Sequence, residues 1–176
     1  MQRKKFFLFR WIEGISELTG YLSGLAILLA ALVVFEQVVL RYILQWPSIW
    51  QNELGLYLLM FSAFVGGAYG LKHGAHVGVD LIVIRLPKKA QLILKIIVSV
   101  LCLLLIVVVG WKAWEMWWEA TVNDWHSETL WGPPLTYPYF ILPLGMTLIA
   151  LQYIVIIAET IQELLGDGST NGEVSE

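Results

Sequence analysis

Four stretches of this chain are long enough, and free enough of charge, to cross a lipid bilayer. Leu18–Phe35 and Leu54–Leu71 each run 18 residues without a charged side chain, Ile96–Trp111 runs 16, and Thr129–Ala158 runs 30. A spanning helix needs about 20 residues. The third stretch reaches that length once Lys95 and Lys112 snorkel outward along their stems. The fourth opens with Gly132, Pro133, Pro134 and Pro138, so its helix is expected to begin near Tyr139. The sequence therefore predicts an all-α integral membrane protein, a single membrane domain over residues 1–176, with spans at about 15–44, 49–72, 89–120 and 139–165. Composition agrees: 58% of the chain is apolar, only 14% is charged, and the mean hydropathy is +0.71. One soluble core of this size could not hide so much apolar surface.

The basic residues orient the spans. Arg3, Lys4, Lys5 and Arg10 precede the first, and Lys72, Arg85, Lys88, Lys89 and Lys95 bracket the connection between the second and third; only Arg41 and Lys112 lie elsewhere. Lys and Arg accumulate on the cytoplasmic side, so both termini and the middle connection are expected there. Trp46, Trp50, Trp111, Trp114, Trp117, Trp118, Trp125 and Trp131 fall on the opposite side, where an aromatic belt is expected. The first span is expected to stay attached, since its apolar run exceeds the 7–15 residues of a signal core. Between the second and third spans, Leu81–Ile84 is apolar, flanked by Asp80 and Arg85 and ended by Pro87. It is too short to span and predicts a short interfacial segment. Residues 166–176, rich in Gly, Ser, Thr and Glu, read as a disordered cytoplasmic tail.

Function classes fall away in turn. The net charge is −3 with no basic stripe, which gives nucleic acid no footprint. A lone Cys102 cannot form a disulfide framework or a thiolate metal site within the chain. A redox-enzyme anchor is the alternative from another class. It needs axial histidines on facing helices, whereas His73 and His76 lie at the cytoplasmic end and His126 lies in an outer loop. No nucleotide loop, nucleophile–base pair or zinc motif is present, so neither an enzyme nor a cofactor is implied. Four spans are too few for a secondary transporter built from repeats.

Several residues invite partners. Arg41 and Glu53 flank the first outer turn and are expected at similar depth, where they could form a cross-helix salt bridge or an anchor for another subunit. Glu36 lies five residues before Arg41 and could share it, face a partner, or carry a proton. Lys112, Glu115 and Glu119 have helical ion-pair spacing. Gly66, Gly67 and Gly70 suggest close helix packing. The outer loop from Thr121 to Pro138 carries Asp124, Trp125, His126, Glu128 and Trp131 with no basic residue. Partner contact and lipid anchoring both explain its tryptophans.

The stretch RYILQWPSIWQNELGLYLLMFSAFVGGAYGLKHGAHVGVDLIVIRLP, Arg41 to Pro87, resembles the small membrane subunit of tripartite ATP-independent periplasmic (TRAP) transporters. An Arg-Tyr pair ends the first helix, Trp50-x-x-Glu53-Leu54 opens the second, and Gly-x-His-Val-x-Val-Asp follows at Gly74 to Asp80. The fourth helix fits as well, with Leu142-Pro143-Leu144-Gly145. The resemblance implies a non-catalytic subunit in the bacterial inner membrane, acting as a scaffold for a large membrane subunit that holds the substrate and sodium sites. It also implies a periplasmic substrate-binding protein that delivers an organic acid, such as a dicarboxylate, sialic acid or a sulfonate. Arg41, Trp50, Glu53, Gly74, His76 and Asp80 carry over as motif positions, not as catalytic or substrate-binding ones; Arg41, Trp50, Glu53, His76 and Asp80, with Glu36, are expected at structural or partner interfaces. By the same resemblance, Asp124, Trp125, Glu128 and Trp131 become candidate contacts for the binding protein.

Overall fold

The structure, a computed structural model, describes residues 7–73 and 87–170. Four α-helices make up the fold: α1 (Phe7–Tyr42), α2 (Gln51–Lys72), α3 (Lys88–Val122) and α4 (Thr136–Thr170). The portions Gly14–Tyr42, Gln51–Lys72, Lys88–Val122 and Thr136–Leu165 are each long and apolar enough to cross a membrane. Helices suit this setting because each satisfies its own backbone hydrogen bonds where no water can. The interfacial segment expected between the second and third spans, with His76 and Asp80, lies outside the described residues. Of the expected tail, residues 166–170 continue α4 and the rest lies outside the described residues.

α4 begins at Thr136, earlier than the prolines suggested. Pro138 falls in its first turn, where the missing N–H has no intrahelical partner to lose. Pro143 lies deeper in the helix. The Thr147 hydroxyl donates to its carbonyl at 2.7 Å and receives the Trp114 indole N–H at 3.3 Å.

The helices form a row rather than a closed bundle. α2 packs between α1 and α4, α3 packs substantially on α4 alone, and α1 touches α4 over a shorter stretch. Small side chains make these contacts. Ser16, Thr19, Ser23, Ala26 and Ala30 are all buried on α1, at spacings of three and four that place them on one face. Between lipid-bathed helices there is no hydrophobic drive to associate, so close approach and interhelical hydrogen bonds hold them together. A Cβ added at Gly145 would sit 2.6 Å from the backbone of Phe64 on α2, and one at Gly67 would sit 2.8 Å from Ile149 on α4. The expected packing role of Gly66 and Gly67 is therefore what the structure shows. Ser16 donates to Gln152 at 3.0 Å, a buried bond between α1 and α4. By contrast, only 6% of the most apolar stretch of α3 is buried.

The register of α1 against α2 is fixed at several levels. Lys72 pairs with Glu17 at 2.7 Å. Moving three residues along each helix from that pair brings the Tyr69 ring into the space a Cβ on Gly20 would need. Three residues further, Gly66 meets Ser23, with 2.8 Å from an added Cβ to the hydroxyl. Gly55 meets Val34 at 3.5 Å in the same register. Glu36 is thus level with Glu53. Arg41 stands five residues farther out, roughly 7.5 Å at 1.5 Å per residue.

Candidate functional site

The N-terminal end of α2 and the α3–α4 loop, named outer after the side the sequence expects for them, gather most of the polar chemistry. Glu53 lies in the first turn of α2 and is buried, where the helix dipole favours a negative charge. The Tyr57 hydroxyl, one turn along, donates to its Oε1. The Thr129 hydroxyl donates to Oε2 at 2.7 Å from the loop between α3 and α4. Thr129 in turn accepts from the Ser127 hydroxyl at 3.2 Å and from the Gly132 N–H at 3.4 Å. Glu53 therefore straps the outer loop onto the start of α2.

That loop has defined structure. Trp125 N–H donates to the Ala120 carbonyl at 3.0 Å and closes the end of α3. An antiparallel bridge joins His126 and Pro134, with Ser127 N–H on the Pro133 carbonyl at 3.0 Å and Leu135 N–H on the Trp125 carbonyl at 2.8 Å. Gly132 supplies the turn with a φ of +57°, a conformation glycine adopts without steric cost. The His126 ring donates from Nδ1 to the Asp124 carbonyl at 2.8 Å. Beside the strap lies a cavity of about 530 Å³, lined by Trp125, His126, Ser127, Glu128, Leu135 and Tyr139. An aromatic girdle supports the loop from below: Trp114 and Trp117 pack edge to face, both rings contact Phe140, and the Trp117 indole donates to the Thr136 carbonyl at 3.1 Å.

The structure places the remaining sequence candidates as follows. Among the described residues no ion pair joins Arg41 to Glu53. Arg41 is exposed beyond the level of Glu53, whose oxygens are taken by hydroxyls. The expected cross-helix salt bridge is corrected accordingly, the cause being the register of the hairpin. Glu36 is exposed on α1, and Trp50 is half-buried at the head of α2. Asp124, Trp125, Glu128 and Trp131 are all exposed on the outer loop. Lys112 and Glu115 form the expected helical pair at 2.6 Å, joined by the Trp111 indole at 2.7 Å.

Sequence reasoning missed the inner counterpart. Glu17 accepts from Lys72 at 2.7 Å and contacts His73 Nε2 at 3.1 Å, which ties α1 to the end of α2. Glu17 directly precedes the first apolar run, and a charge at that position facing a basic residue across an antiparallel hairpin was the available signal. Tyr57, Ser127 and Thr129 gave no signal, because hydroxyls in such a sequence follow no diagnostic spacing.

A four-helix, multi-pass membrane protein emerges, with its charged groups gathered toward the two ends and, among the described residues, no cluster able to hold a metal ion. The family described as tripartite ATP-independent periplasmic transporters, DctQ component, matches residues 30–163, and the chain belongs to it. It is similar to the sialic acid TRAP transporter small permease protein SiaQ of Vibrio cholerae, 28% identical over 81% of this chain and 82% of that protein. It is also similar to the C4-dicarboxylate TRAP transporter small permease protein DctQ of Vibrio cholerae, 24% identical over 70% of this chain. The alignment spans 62% of that relative's length. The ectoine TRAP transporter small permease protein TeaB of Halomonas elongata is 26% identical over 80% of this chain and 72% of its own length. The matched region includes Glu53, the whole outer loop and its strap, and begins after Glu17.

Proposed function

We propose that this chain is the small, non-catalytic membrane subunit of a sodium-coupled, binding-protein-dependent transporter of organic acids. It resides in the bacterial inner membrane with both termini cytoplasmic. The family match over residues 30–163 carries this reading. The relatives named for C4-dicarboxylate, sialic acid and ectoine support a small organic acid as the substrate class. The scaffold role has physical support in the open row of helices. Its large exposed apolar faces suit lipid and a large membrane subunit, and its close contacts suit a rigid frame more than a moving one. In this reading Glu36, Arg41 and Trp50, with His76 and Asp80, contribute to the interface with the large subunit. The outer loop, with Asp124, Trp125, Glu128 and Trp131, meets the periplasmic binding protein.

Reconstitution tests the proposal. Proteoliposomes holding this chain, the large subunit, the binding protein and a sodium gradient should accumulate the organic acid. Liposomes holding this chain without the large subunit should accumulate none, and uptake by them would reject the scaffold reading.

A further inference from the structure

We propose that the cavity on the outer loop is a seat for one cationic side chain, a guanidinium or an ammonium, of the soluble binding protein. The inference rests on the functional reading above and names the chemistry of the contact. Two aromatic residues, Trp125 and Tyr139, line the cavity together with the acidic Glu128 and with His126, Ser127 and Leu135. Aromatic faces and a carboxylate around one space recognise a cation by its attraction to the rings and by charge-assisted hydrogen bonds. The volume, about 530 Å³, admits one long side chain with water around it.

Charge selects the occupant. No Lys or Arg occurs anywhere after Lys112, and Glu119, Asp124 and Glu128 are all exposed at this end. An anionic group would face Glu128 with no Lys or Arg among the lining residues, and a purely apolar one would cover Glu128 without pairing it. The wall is also held in place before any partner arrives. Leu135 N–H is bonded to the Trp125 carbonyl at 2.8 Å, and Ser127 leads through Thr129 to buried Glu53. Such preorganisation reduces the ordering cost of docking. Five of the six lining residues lie outside the spans, between Val122 and Thr136, and only Tyr139 sits in a helix. That placement lies outside the hydrocarbon, where a soluble protein can reach it, and the lipid arm of the test separates a headgroup from the protein side chain.

The test uses the assembled membrane complex in proteoliposomes and titrates the substrate-loaded binding protein at low ionic strength. Glu128→Gln and Trp125→Ala should each raise the concentration for half-maximal uptake, roughly three- to tenfold. Glu128→Lys should raise it further, and the double change should raise it by less than the product of the single effects. Glu163→Gln, at the other end of α4, serves as the control and should leave it within about twofold. Both tested side chains are exposed, and gel filtration of each variant complex checks assembly. If Trp125→Ala impairs assembly, the two Glu128 variants decide the matter. A saturable wild-type response with unchanged values in the Glu128 variants would overturn the cation seat and leave the functional reading standing. Loss of co-purifying ethanolamine lipid with unchanged docking would assign the cavity to lipid and overturn it equally. Uptake with no dependence on the binding protein, even in the wild type, would remove both readings.

Discussion

The two ends of the α1–α2 hairpin each hold a carboxylate and handle it in opposite ways. At the inner end Glu17 is matched by a cation, Lys72, with His73 alongside. At the outer end Glu53 is held by the hydroxyls of Tyr57 and Thr129, and its charge is not cancelled by a basic side chain among the described residues. The inner pair joins two neighbouring helices of one hairpin. The outer strap joins the first hairpin to the second, across 76 residues of sequence. An ion pair whose two side chains are both partly open to water is worth little and is screened by salt, whereas hydrogen bonds onto a buried carboxylate are costly to lose. The outer end is therefore expected to be the stiffer junction while staying acidic on its surface, a combination suited to presenting a loop to a soluble partner.

The largest effect should come from wedging apart the helices that bring the two hairpins together. Gly145→Ala places a Cβ 2.6 Å from the Phe64 backbone, and such overpacking typically costs about 1–3 kcal/mol or more. The complex should melt at lower temperature, and hydrogen exchange should rise over residues 125–135 while the inner Glu17–Lys72 pair persists. Gly24→Ala, which meets open space, should be tolerated; equal loss from both would show that close approach is not what matters.

Next in size is Glu53→Ala, which leaves the Tyr57 and Thr129 hydroxyls without their acceptor. A loss of roughly 1–2 kcal/mol is expected, with faster exchange confined to the outer loop. Glu53→Gln keeps an acceptor and should lose less. If loop exchange is unchanged in Glu53→Ala, the strap does not hold the loop.

A smaller effect is expected at the inner end. Glu17→Ala and Lys72→Ala should each lower thermal stability less than Glu53→Ala does, and the double change by less than their sum. The loss in these variants should shrink in high salt. A salt-insensitive loss as large as that of Glu53→Ala would erase the contrast between the two ends. Arg41→Gln should have the smallest effect, leaving the melting of the isolated chain unchanged. Any loss on pairing with the large subunit would place Arg41 at that interface.

Much of the architecture could be read before the structure, because a bilayer imposes a simple rule on length and charge. The four uncharged runs follow from it; the Lys112–Glu115 pair follows from helical spacing, and Gly66 and Gly67 from the need for close helix approach, whereas the small residues buried on α1 went unread. The hairpin register could not be read. Eight residues, Ile43 to Trp50, join α1 to α2, and a turn of that length lets one helix end farther out than the other begins. Contacts at the opposite end and along the seam, Lys72 on Glu17 and Gly66 on Ser23, set the register instead, which is why Arg41 overshoots Glu53. The partners of Glu53 were equally hidden, since Thr129 reaches it only through the packing of α4 on α2.

The contrast between an ion-paired inner end and an acidic, strapped outer end has meaning only if those ends face the two sides of the membrane. In a chain carrying Cys102→Ser, single cysteines introduced as Asn123→Cys and Glu163→Cys can be probed in intact cells with a maleimide that does not cross the inner membrane. Labelling at position 123 before lysis, and at position 163 only after it, is the expected result. Labelling of both positions from the same side would contradict the topology and, with it, the presentation of the outer loop to a periplasmic partner.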